Sequence, residues 1–392
     1  MFRRDHYFDW AATSLPDEEI LQKALKVSLE NTGNPSSLHT AGSEAKKALE
    51  NARSRCAKYL NVNSEHLYFT SGGTESNHLA LLSILTKPVK GSIVVSGIEH
   101  PSIREMVKML SNCGIKVITV NSNKEGIVTK DSILNAIESD TVLVSVMAVN
   151  NETGAIQPIY EIADALVEYS KNKRKPFFHI DCVQAAGKIP LELSHNGIDS
   201  ASFSTHKFCG PRGCGLLYLS KNIVSFLRGG GQEKNIRSGT ENLFGAEATA
   251  LCLEKYFLYD SNSMMKERLI KQTELTQNFI HSLLTLPKTK IIPEARQDDL
   301  NAKNYSPWVL QVSFEGIPGK VMQRALNEKE FYISTGSACS SGHQAHPVLD
   351  NLQLSAKDKE GTVRFSFGEE TTEKAINELF EAVKEIVMLF TH

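Results

Sequence analysis

Three consecutive segments decide the fold class of this chain: "TVLVSVM" (Thr141–Met147), "YEIADALVEYS" (Tyr160–Ser170) and "PFFHID" (Pro176–Asp181). The first and third are apolar, β-rich runs of strand length, whereas the second has apolar residues at helical spacing. A strand, a helix and another strand in this order predict parallel strands joined by a crossover helix. The stretch therefore indicates an α/β protein.

The same alternation continues towards the N-terminus. Strand-like runs occur at "HLYFT" (66–70), "SIVVS" (92–96) and "KVITV" (116–120), and helical patterns occur at "TESNHLALLSIL" (74–85), "PSIREMVKML" (101–110) and "KDSILNAI" (130–137). We therefore predict a mostly parallel sheet covered by helices on both faces. Before it, "AGSEAKKALENARSRCAKYL" (41–60) has the pattern of a long amphipathic helix.

The pattern changes after a mostly helical region, residues 240–286, that is interrupted near "YDSNSMM". Strand-like runs "WVLQVSF" (308–314), "FYIST" (331–335) and "TVRFSFG" (362–368) then alternate with a predicted helix over 319–328 and a final helix from about residue 372. We predict a large α/β domain over residues 15–260. Residues 1–14 and 261–392 would form a smaller α+β domain.

Composition excludes several classes of function. The chain has 392 residues, 41% hydrophobic residues and a formal net charge of -2, which does not suit a nucleic-acid platform built on positive charge. Its seven cysteines are scattered without zinc-like spacing, so no metal site is predicted. The sequence "MFRRDHYFDW" lacks a signal-peptide core, and no apolar run approaches the roughly 18 residues of a membrane span. We therefore expect a reduced cytoplasmic protein with no direct nucleic-acid or membrane partner.

Two motifs offer groups for a phosphate and a carbonyl compound. "YFTSGGTES" (Tyr68–Ser76) joins a strand to a helix start through glycines, so the amides of Gly73 and Thr74 would lie at the positive end of that helix. "FSTHKFCGPRGCG" (Phe203–Gly215) places Lys207 on a turn after Ser204 and His206, where the amine could form a Schiff base. Taken singly, an ordinary strand–helix turn and a solvated lysine explain the two motifs as well.

Other strand ends carry polar groups of similar ambiguity. Asp181 follows a buried-looking run and could pair with a protonated pyridine nitrogen or cap the next helix, and Gln184 could reach a ring oxygen. His100 precedes a helix in "GIEHPSI", and Asn151 lies on the exit loop of another strand. Arg364, within "TVRFSFG", could clamp a carboxylate or pair with a structural acid.

One cysteine stands apart from the others. In "ISTGSACSSGHQAHP" (Ile333–Pro347), Cys339 is surrounded by glycine, serine and other short polar residues that offer little apolar surface. A free cysteine usually behaves as a small buried hydrophobe. The composition therefore favours a reactive thiol on an accessible loop.

Together these residues supply what pyridoxal phosphate (PLP) requires: a lysine, a carboxylate for the ring nitrogen, phosphate donors, a histidine for the ring face and an arginine for a substrate carboxylate. The chain also resembles the NifS/IscS-like cysteine desulfurases of the class V aminotransferase family. The resemblance runs nearly from end to end, through "YFDWAATS", "GNPSSLHTAG", "FTSGGTESNHLAL", "VNNETGAIQPI", "DCVQAAGK", "SFSTHKFCGPRG", "RSGTEN", "GSACSSG" and "VRFSFG".

This resemblance implies an aspartate-aminotransferase-like fold of type I. Its large domain would hold a mostly parallel seven-stranded sheet, and its small C-terminal domain would carry the catalytic cysteine loop. Lys207 would hold the cofactor covalently, His100 would stack on its ring, Asp181 would contact its nitrogen and Gln184 its phenolic oxygen. The remaining roles implied by the resemblance are phosphate binding by Gly73, Thr74, Ser204 and His206, phosphate binding by Thr240 from the other subunit of a homodimer, and substrate-carboxylate binding by Asn151, Arg364 and Asn34.

The implied reaction converts L-cysteine to L-alanine and leaves a persulfide on Cys339. His100 is the candidate acceptor for the thiol proton, because an ordinary cysteine is only a few per cent thiolate at neutral pH. The sulfur would pass to an acceptor protein, either an iron–sulfur scaffold or a tRNA-thiolating enzyme. The residues alone leave open a class V aminotransferase, a selenocysteine lyase and a sulfur carrier without turnover, although a transaminase has no use for Cys339.

Overall fold

The computed structural model describes residues 3–87, 91–171, 173–257, 264–335 and 347–391. Seven strands form its larger sheet: β1 (Leu67–Thr70), β2 (Ile93–Ser96), β3 (Val117–Val120), β4 (Leu143–Met147), β5 (Phe177–Asp181), β6 (Ser200–Ser204) and β7 (Gly215–Leu219). Their spatial order is β1-β7-β6-β5-β4-β2-β3. The predicted mostly parallel seven-stranded sheet is thereby confirmed.

Only β7 runs against its neighbours, since it pairs antiparallel with both β1 and β6. The pairs β5–β6, β4–β5, β2–β4 and β2–β3 are parallel. A parallel crossover needs about a dozen residues or more, usually with a helix. The connection over residues 205–214 contains only a 3-10 turn, Thr205–Lys207, so β7 returns antiparallel beside β6.

The described residues also form a set of α-helices. They are α1 (Glu18–Glu30), α2 (Thr40–Leu60), α3 (Gly73–Leu82), α4 (Pro101–Asn112), α5 (Lys130–Ala136), α6 (Ile159–Tyr169), α7 (Leu243–Tyr256), α8 (Met264–Leu284), α9 (Gly319–Glu328), α10 (Pro347–Asn351), α11 (Ala356–Glu360) and α12 (Glu373–Thr391). Across the described part of the chain, none of these helices combines the length and apolar character needed to span a membrane.

Helices cover both faces of the large sheet because its strands are apolar on both sides. Every residue of β2, β4, β5, β6 and β7 is buried. Alternate side chains enter different cores: Val94 packs with residues of α1, α2, α6 and α7, whereas Val95 packs with residues of α3 and α4. The period-2 geometry of a strand places such neighbours on opposite faces. The sheet is therefore the middle layer of a three-layer unit.

A second, antiparallel sheet has the order β10-β9-β8, where β8 is Thr289–Ile292, β9 is Val309–Phe314 and β10 is Thr362–Ser366. Its core contains Phe279 of α8, Phe365 of β10 and Leu379 of α12. Phe8 belongs to this same core, so the N-terminal segment packs on the smaller sheet. The precise domain boundary near residue 260 stays a prediction, and residues 258–263 lie outside the described residues.

Most local predictions for the smaller sheet agree with the structure, with one clear error. The helix predicted over 319–328 is α9, and the final helix begins at Glu373. "FYIST" is not a strand, because Tyr332 and Ser334 make only isolated bridges, to Tyr7 and Arg364. The alternating burial of 331–335 resembles that of a strand although no continuous ladder forms. Strand β8 and helix α1 were not predicted.

Candidate active site

A cavity of about 350 Å³ lies where several parallel strands end. The cavity is bordered by the segments that follow β1, β2, β4, β5 and β6, by the segment before α1, and by β10. Such a position is expected for a site at the carboxyl edge of an α/β sheet. The lining residues are Ala11, Ala12, Gly73, Thr74, Asn77, His100, Ser102, Met147, Asn151, Asp181, Val183, Gln184, Ser204, His206, Lys207 and Arg364. The structure thus gathers most of the residues predicted from the sequence.

Lys207 ends the 3-10 turn that follows β6. Its Nζ donates hydrogen bonds to the carbonyl oxygens of Ala11, at 2.6 Å, and Ala12, at 2.7 Å. Burial, together with the positive charges of Lys188 and Arg364, lowers the pKa of Lys207 to about 7 against the opposing effect of nearby carboxylates. A lysine with this pKa has a substantial neutral fraction near pH 7 and can therefore act as a nucleophile or accept a proton.

Asp181 ends β5 and is 3% exposed. Its Oδ1 accepts a hydrogen bond from the Val183 amide, and its Oδ2 accepts one from Asn77 Nδ2, both at 2.9 Å. Both donors are neutral amides, and no cationic group among the described residues donates a hydrogen bond to this carboxylate. A buried carboxylate is costly without a cation, so this arrangement fits the protonated nitrogen of a pyridine ring at the cavity.

The loop after β1 forms a narrow turn suited to a phosphate. Gly73 begins α3, and a Cβ atom at this position would lie 2.7 Å from Val183 Cγ2. A Cβ atom on Gly215 would lie 2.7 Å from the Cα atom of Gly72, so glycine there allows β7 to approach this turn. Backbone amides at the start of a ten-residue helix offer hydrogen bonds and a positive dipole end to an anion.

Two other phosphate candidates lie at the end of β6 and on the turn that follows it. Ser204 is buried, and His206 Nδ1 lies 3.0 Å from the hydroxyl oxygen of Thr13. Burial lowers the pKa of His206 to about 4, and the positive charges of Lys207 and Arg212 contribute to this shift. His206 is consequently neutral at physiological pH and can contribute a hydrogen bond rather than a charge. The donor set at this end of the cavity fits a phosphate group.

His100 caps the N-terminus of α4. The Ser102 amide donates a hydrogen bond to His100 Nδ1 at 3.1 Å, and the Ser102 hydroxyl oxygen lies 2.9 Å from the same nitrogen. Burial lowers the pKa of His100. Because Nδ1 must accept from the amide, the neutral ring carries its proton on Nε2. The imidazole borders the cavity as a neutral ring that can stack on an aromatic group.

Arg364 reaches the cavity from β10. Its Nη1 donates to the carbonyl oxygen of Asn151 and its Nη2 to Asp9 Oδ1, each at 2.9 Å. Its Nε is buried and has no hydrogen-bond partner among the described residues. The Arg364 guanidinium therefore retains donor capacity for a carboxylate.

Gln184 is held by two hydrogen bonds. Its Nε2 donates to the carbonyl oxygen of Ala11 at 2.9 Å, and its Oε1 accepts from Lys188 Nζ at 2.9 Å.

Two predicted residues that the structure describes, Thr240 and Asn34, do not line this cavity. Thr240 is exposed and borders a separate cleft of about 150 Å³ with Ser71 and Arg237. Asn34 is exposed on the turn between α1 and α2, where its Oδ1 accepts a hydrogen bond from the Ser36 amide at 2.9 Å. Cys339 lies outside the described residues.

Several site residues were missed by sequence reasoning. Asp9, Ala11 and Ala12 contact Arg364, Lys207 and Gln184, yet the N-terminal segment carries no motif for catalysis of its own. Asn77, Ser102 and Lys188 contact predicted residues through hydrogen bonds. The residue types of Asn77, Ser102 and Lys188 did not indicate a role in the site. The positions of Asn77 and Ser102 did, because both lie near the starts of helices that begin at the cavity.

Residues 6–379 match the family model described as aminotransferase class-V. The chain therefore belongs to the class V aminotransferase family, whose members use PLP.

Similarity to individual proteins narrows the assignment. The chain is 36% identical to a NifS/IcsS protein homolog of Lactobacillus delbrueckii subsp. bulgaricus, covering 98% of each sequence. It is also 36% identical to the cysteine desulfurase IscS of Methanosarcina thermophila, covering 97% of this chain and 91% of the relative. A solved structure named NifS-like protein superposes with a TM-score of 0.87 at 32% identity, covering 98% of this chain and 99% of the other. Within its family, the chain is a NifS/IscS-like cysteine desulfurase.

Proposed function

We propose that this enzyme converts L-cysteine to L-alanine in the cavity beside Lys207 and passes the sulfur atom to Cys339. The observation that carries the assignment of residues is one cavity that joins a lysine of lowered pKa, a buried carboxylate with no cationic hydrogen-bond donor among the described residues, and a glycine-rich helix start. These are the three groups that PLP requires at its carbonyl carbon, its ring nitrogen and its phosphate.

The proposed cofactor contacts follow from these positions. Lys207 would bind the carbonyl carbon, Asp181 the ring nitrogen and His100 the ring face, and Gln184 would contact the phenolic oxygen. The phosphate would be bound by Gly73, Thr74, Ser204 and His206. PLP supplies an electron-accepting ring that stabilises negative charge at the substrate carbon bearing the amino group.

Arg364 and Asn151 are the proposed ligands of the substrate carboxylate. The Arg364 guanidinium is held by two hydrogen bonds, to Asp9 and to the Asn151 carbonyl, while its buried Nε has no hydrogen-bond partner among the described residues. A planar guanidinium fixed in this way binds a carboxylate in a defined orientation. It would place the substrate amino group and Cα near Lys207, whose neutral Nζ can accept the Cα proton.

The sulfur transfer is balanced without a further reactant. Cys339 gives up its thiol proton, and its Sγ forms a bond to the substrate sulfur while the bond between that sulfur and the substrate Cβ breaks. The electron pair of the broken bond stays with the carbon skeleton, and Cβ takes up one proton to become the methyl group of alanine. L-Cysteine and one enzyme thiol thus give L-alanine and one enzyme persulfide. The role of Cys339 stays a prediction from sequence, as the residue lies outside the described part of the chain.

The proton acceptor for Cys339 also stays a prediction. His100 was assigned this role from the sequence, but its Nδ1 already accepts a hydrogen bond from the Ser102 amide. The neutral ring therefore has Nε2 protonated, and it can accept the thiol proton only if Nδ1 releases Ser102. In the geometry of the structure, His100 is arranged to donate a proton at Nε2.

The central experiment measures alanine, sulfide and enzyme-bound sulfur after cysteine is added to the PLP-loaded protein. Wild type should form alanine, and mass spectrometry should place one added sulfur atom on Cys339. Cys339→Ser should bind PLP normally and lose persulfide formation. The control Cys113→Ser, which removes the exposed cysteine that follows α4, should behave as wild type. Full alanine formation by Cys339→Ser would contradict the assignment.

We also propose a homodimer in the cytoplasm that delivers sulfur to an acceptor protein, either an iron–sulfur scaffold or a tRNA-thiolating enzyme. Leu38 is fully exposed and Leu29 is 66% exposed, and both flank the turn that carries Asn34. Large exposed apolar side chains are typical of interaction surfaces when they cluster. Thr240, which borders a cleft separate from the cavity, would serve the partner's phosphate site. Light scattering of the wild type should give twice the chain mass, and Leu38→Glu should reduce it.

A further inference from the structure

Asn77 connects two cavity residues that are far apart in the sequence. It lies on α3 and is 1% exposed. Its Nδ2 donates hydrogen bonds to Asp181 Oδ2 and to the Ser102 hydroxyl oxygen, both at 2.9 Å. Its Oδ1 accepts hydrogen bonds from His179 Nε2, at 2.9 Å, and from the Ser202 hydroxyl. Both amide protons and the carbonyl oxygen are thus used.

The orientation of this amide is fixed by its neighbours. A carboxylate oxygen can only accept, so the nitrogen of Asn77 must face Asp181. The oxygen then faces His179, which must carry its proton on Nε2 while its Nδ1 accepts from the Ser200 hydroxyl at 2.8 Å. Complete burial lowers the pKa of His179 to about 3. His179 is therefore neutral at physiological pH, and its tautomer holds the amide in one orientation.

The network continues from Asn77 to His100. Since the Ser102 oxygen accepts from Asn77, the Ser102 hydroxyl is free to donate to His100 Nδ1, at 2.9 Å. The Ser102 amide supports the same nitrogen at 3.1 Å. One side-chain amide thereby touches the carboxylate expected at the ring nitrogen and, through one hydroxyl, the imidazole expected on the ring face.

We infer that Asn77 is a positioning residue that sets Asp181 and His100 relative to each other around the cofactor. The inference rests on the proposed cofactor contacts of these two residues. Replacing the amide removes a donor from the Asp181 carboxylate and, at the same time, the hydrogen bond that orients the Ser102 hydroxyl. Asn77→Asp keeps the shape but places a second carboxylate 2.9 Å from Asp181. Two carboxylates so close cannot both be ionised without a strong shift of one pKa.

The experiment uses PLP-loaded wild type, Asn77→Ala, Asn77→Asp and the control Thr276→Val. Thr276 is also buried and has two hydrogen bonds, to Pro307 and Gln272, but it lies on α8 in the smaller core. The readouts without substrate are the pH dependence of the visible absorbance of bound PLP and the PLP dissociation constant. Melting temperature is measured on the same samples to record general destabilisation.

Both Asn77 variants should shift the midpoint of the absorbance titration by at least about one pH unit, the usual scale for a lost or like-charge neighbour. They should weaken PLP binding by at least about 10-fold, the scale found when partners that orient a bound group are removed. Thr276→Val should change only the melting temperature. If Asn77→Asp binds PLP with the wild-type midpoint and affinity, the inference is wrong. Wild type that fails to bind PLP would instead overturn the proposed function.

Discussion

The lowered pKa of Lys207 leads to a prediction that can be measured directly at one amine. In the cofactor-free protein, the folded state holds Nζ against the carbonyl oxygens of Ala11 and Ala12, and no carboxylate in the described part of the chain is hydrogen-bonded to it. Its pKa of about 7 lies well below the usual value of 10.5. The difference corresponds to roughly 5 kcal/mol in the free energy of protonation, at about 1.4 kcal/mol for each pKa unit.

The direction of the pH dependence follows from the charge of the amine. Lys207 is protonated and unreactive below pH 7 and becomes neutral above it, so its acylation should rise through about pH 7. Lys255 provides an internal comparison, because its Nζ donates to Asp17 Oδ2 at 2.6 Å and this hydrogen bond raises its pKa. Its acylation should rise at a higher pH than that of an ordinary lysine.

The assay is competitive labelling of the cofactor-free protein with acetic anhydride between pH 5 and 11, read by mass spectrometry of the Lys207 and Lys255 peptides. Two variants should move the Lys207 midpoint in opposite directions. Lys188→Met removes a positive charge that lowers the pKa, so the midpoint should rise, whereas Asp9→Asn removes a charge that raises it, so the midpoint should fall. A wild-type midpoint for Lys207 above about 9.5, near the ordinary lysine value, would refute the reasoning.

Three further predictions concern the substrate clamp, the phosphate turn and a buried ion pair. Arg364→Lys should raise KM for cysteine at least about 10-fold with a smaller change in kcat, because an ammonium cannot form the bidentate contact; an unchanged KM in steady-state kinetics would contradict the clamp. Gly215→Ala should weaken PLP binding about 10-fold in a titration, because the alanine Cβ would lie 2.7 Å from the Cα atom of Gly72 and overpacking costs about 1–3 kcal/mol. Wild-type affinity in this variant would show that the turn can shift freely. Glu233→Gln should reduce the free energy of unfolding by about 3 kcal/mol, because the buried charge of Arg53 loses an anionic partner at 2.7 Å. Urea denaturation should show this loss, and a loss below about 1 kcal/mol would argue against a dominant role for the ion pair.

Sequence reasoning reached much of the candidate site because most of the proposed groups lie at the end of a strand-like run or soon after it. Gly73, His100, Asp181 and Lys207 stand directly after strand-like runs, and parallel strands bring such positions to one edge. The prediction was less complete for the N-terminal segment. Asp9 and Ala11 contact site residues roughly 170 to 360 positions away, and no local pattern encodes such contacts.

The sequence by itself determined the layered α/β architecture, because the period of its apolar residues specifies which faces of strands and helices are buried. It also determined the family, through motifs spread along the chain. Tertiary structure alone decided the lowered pKa of Lys207 and the use of Asn77 between Asp181 and His100. These depend on distances and solvent exclusion between segments that are remote in the chain, and such quantities exist only once the chain has folded.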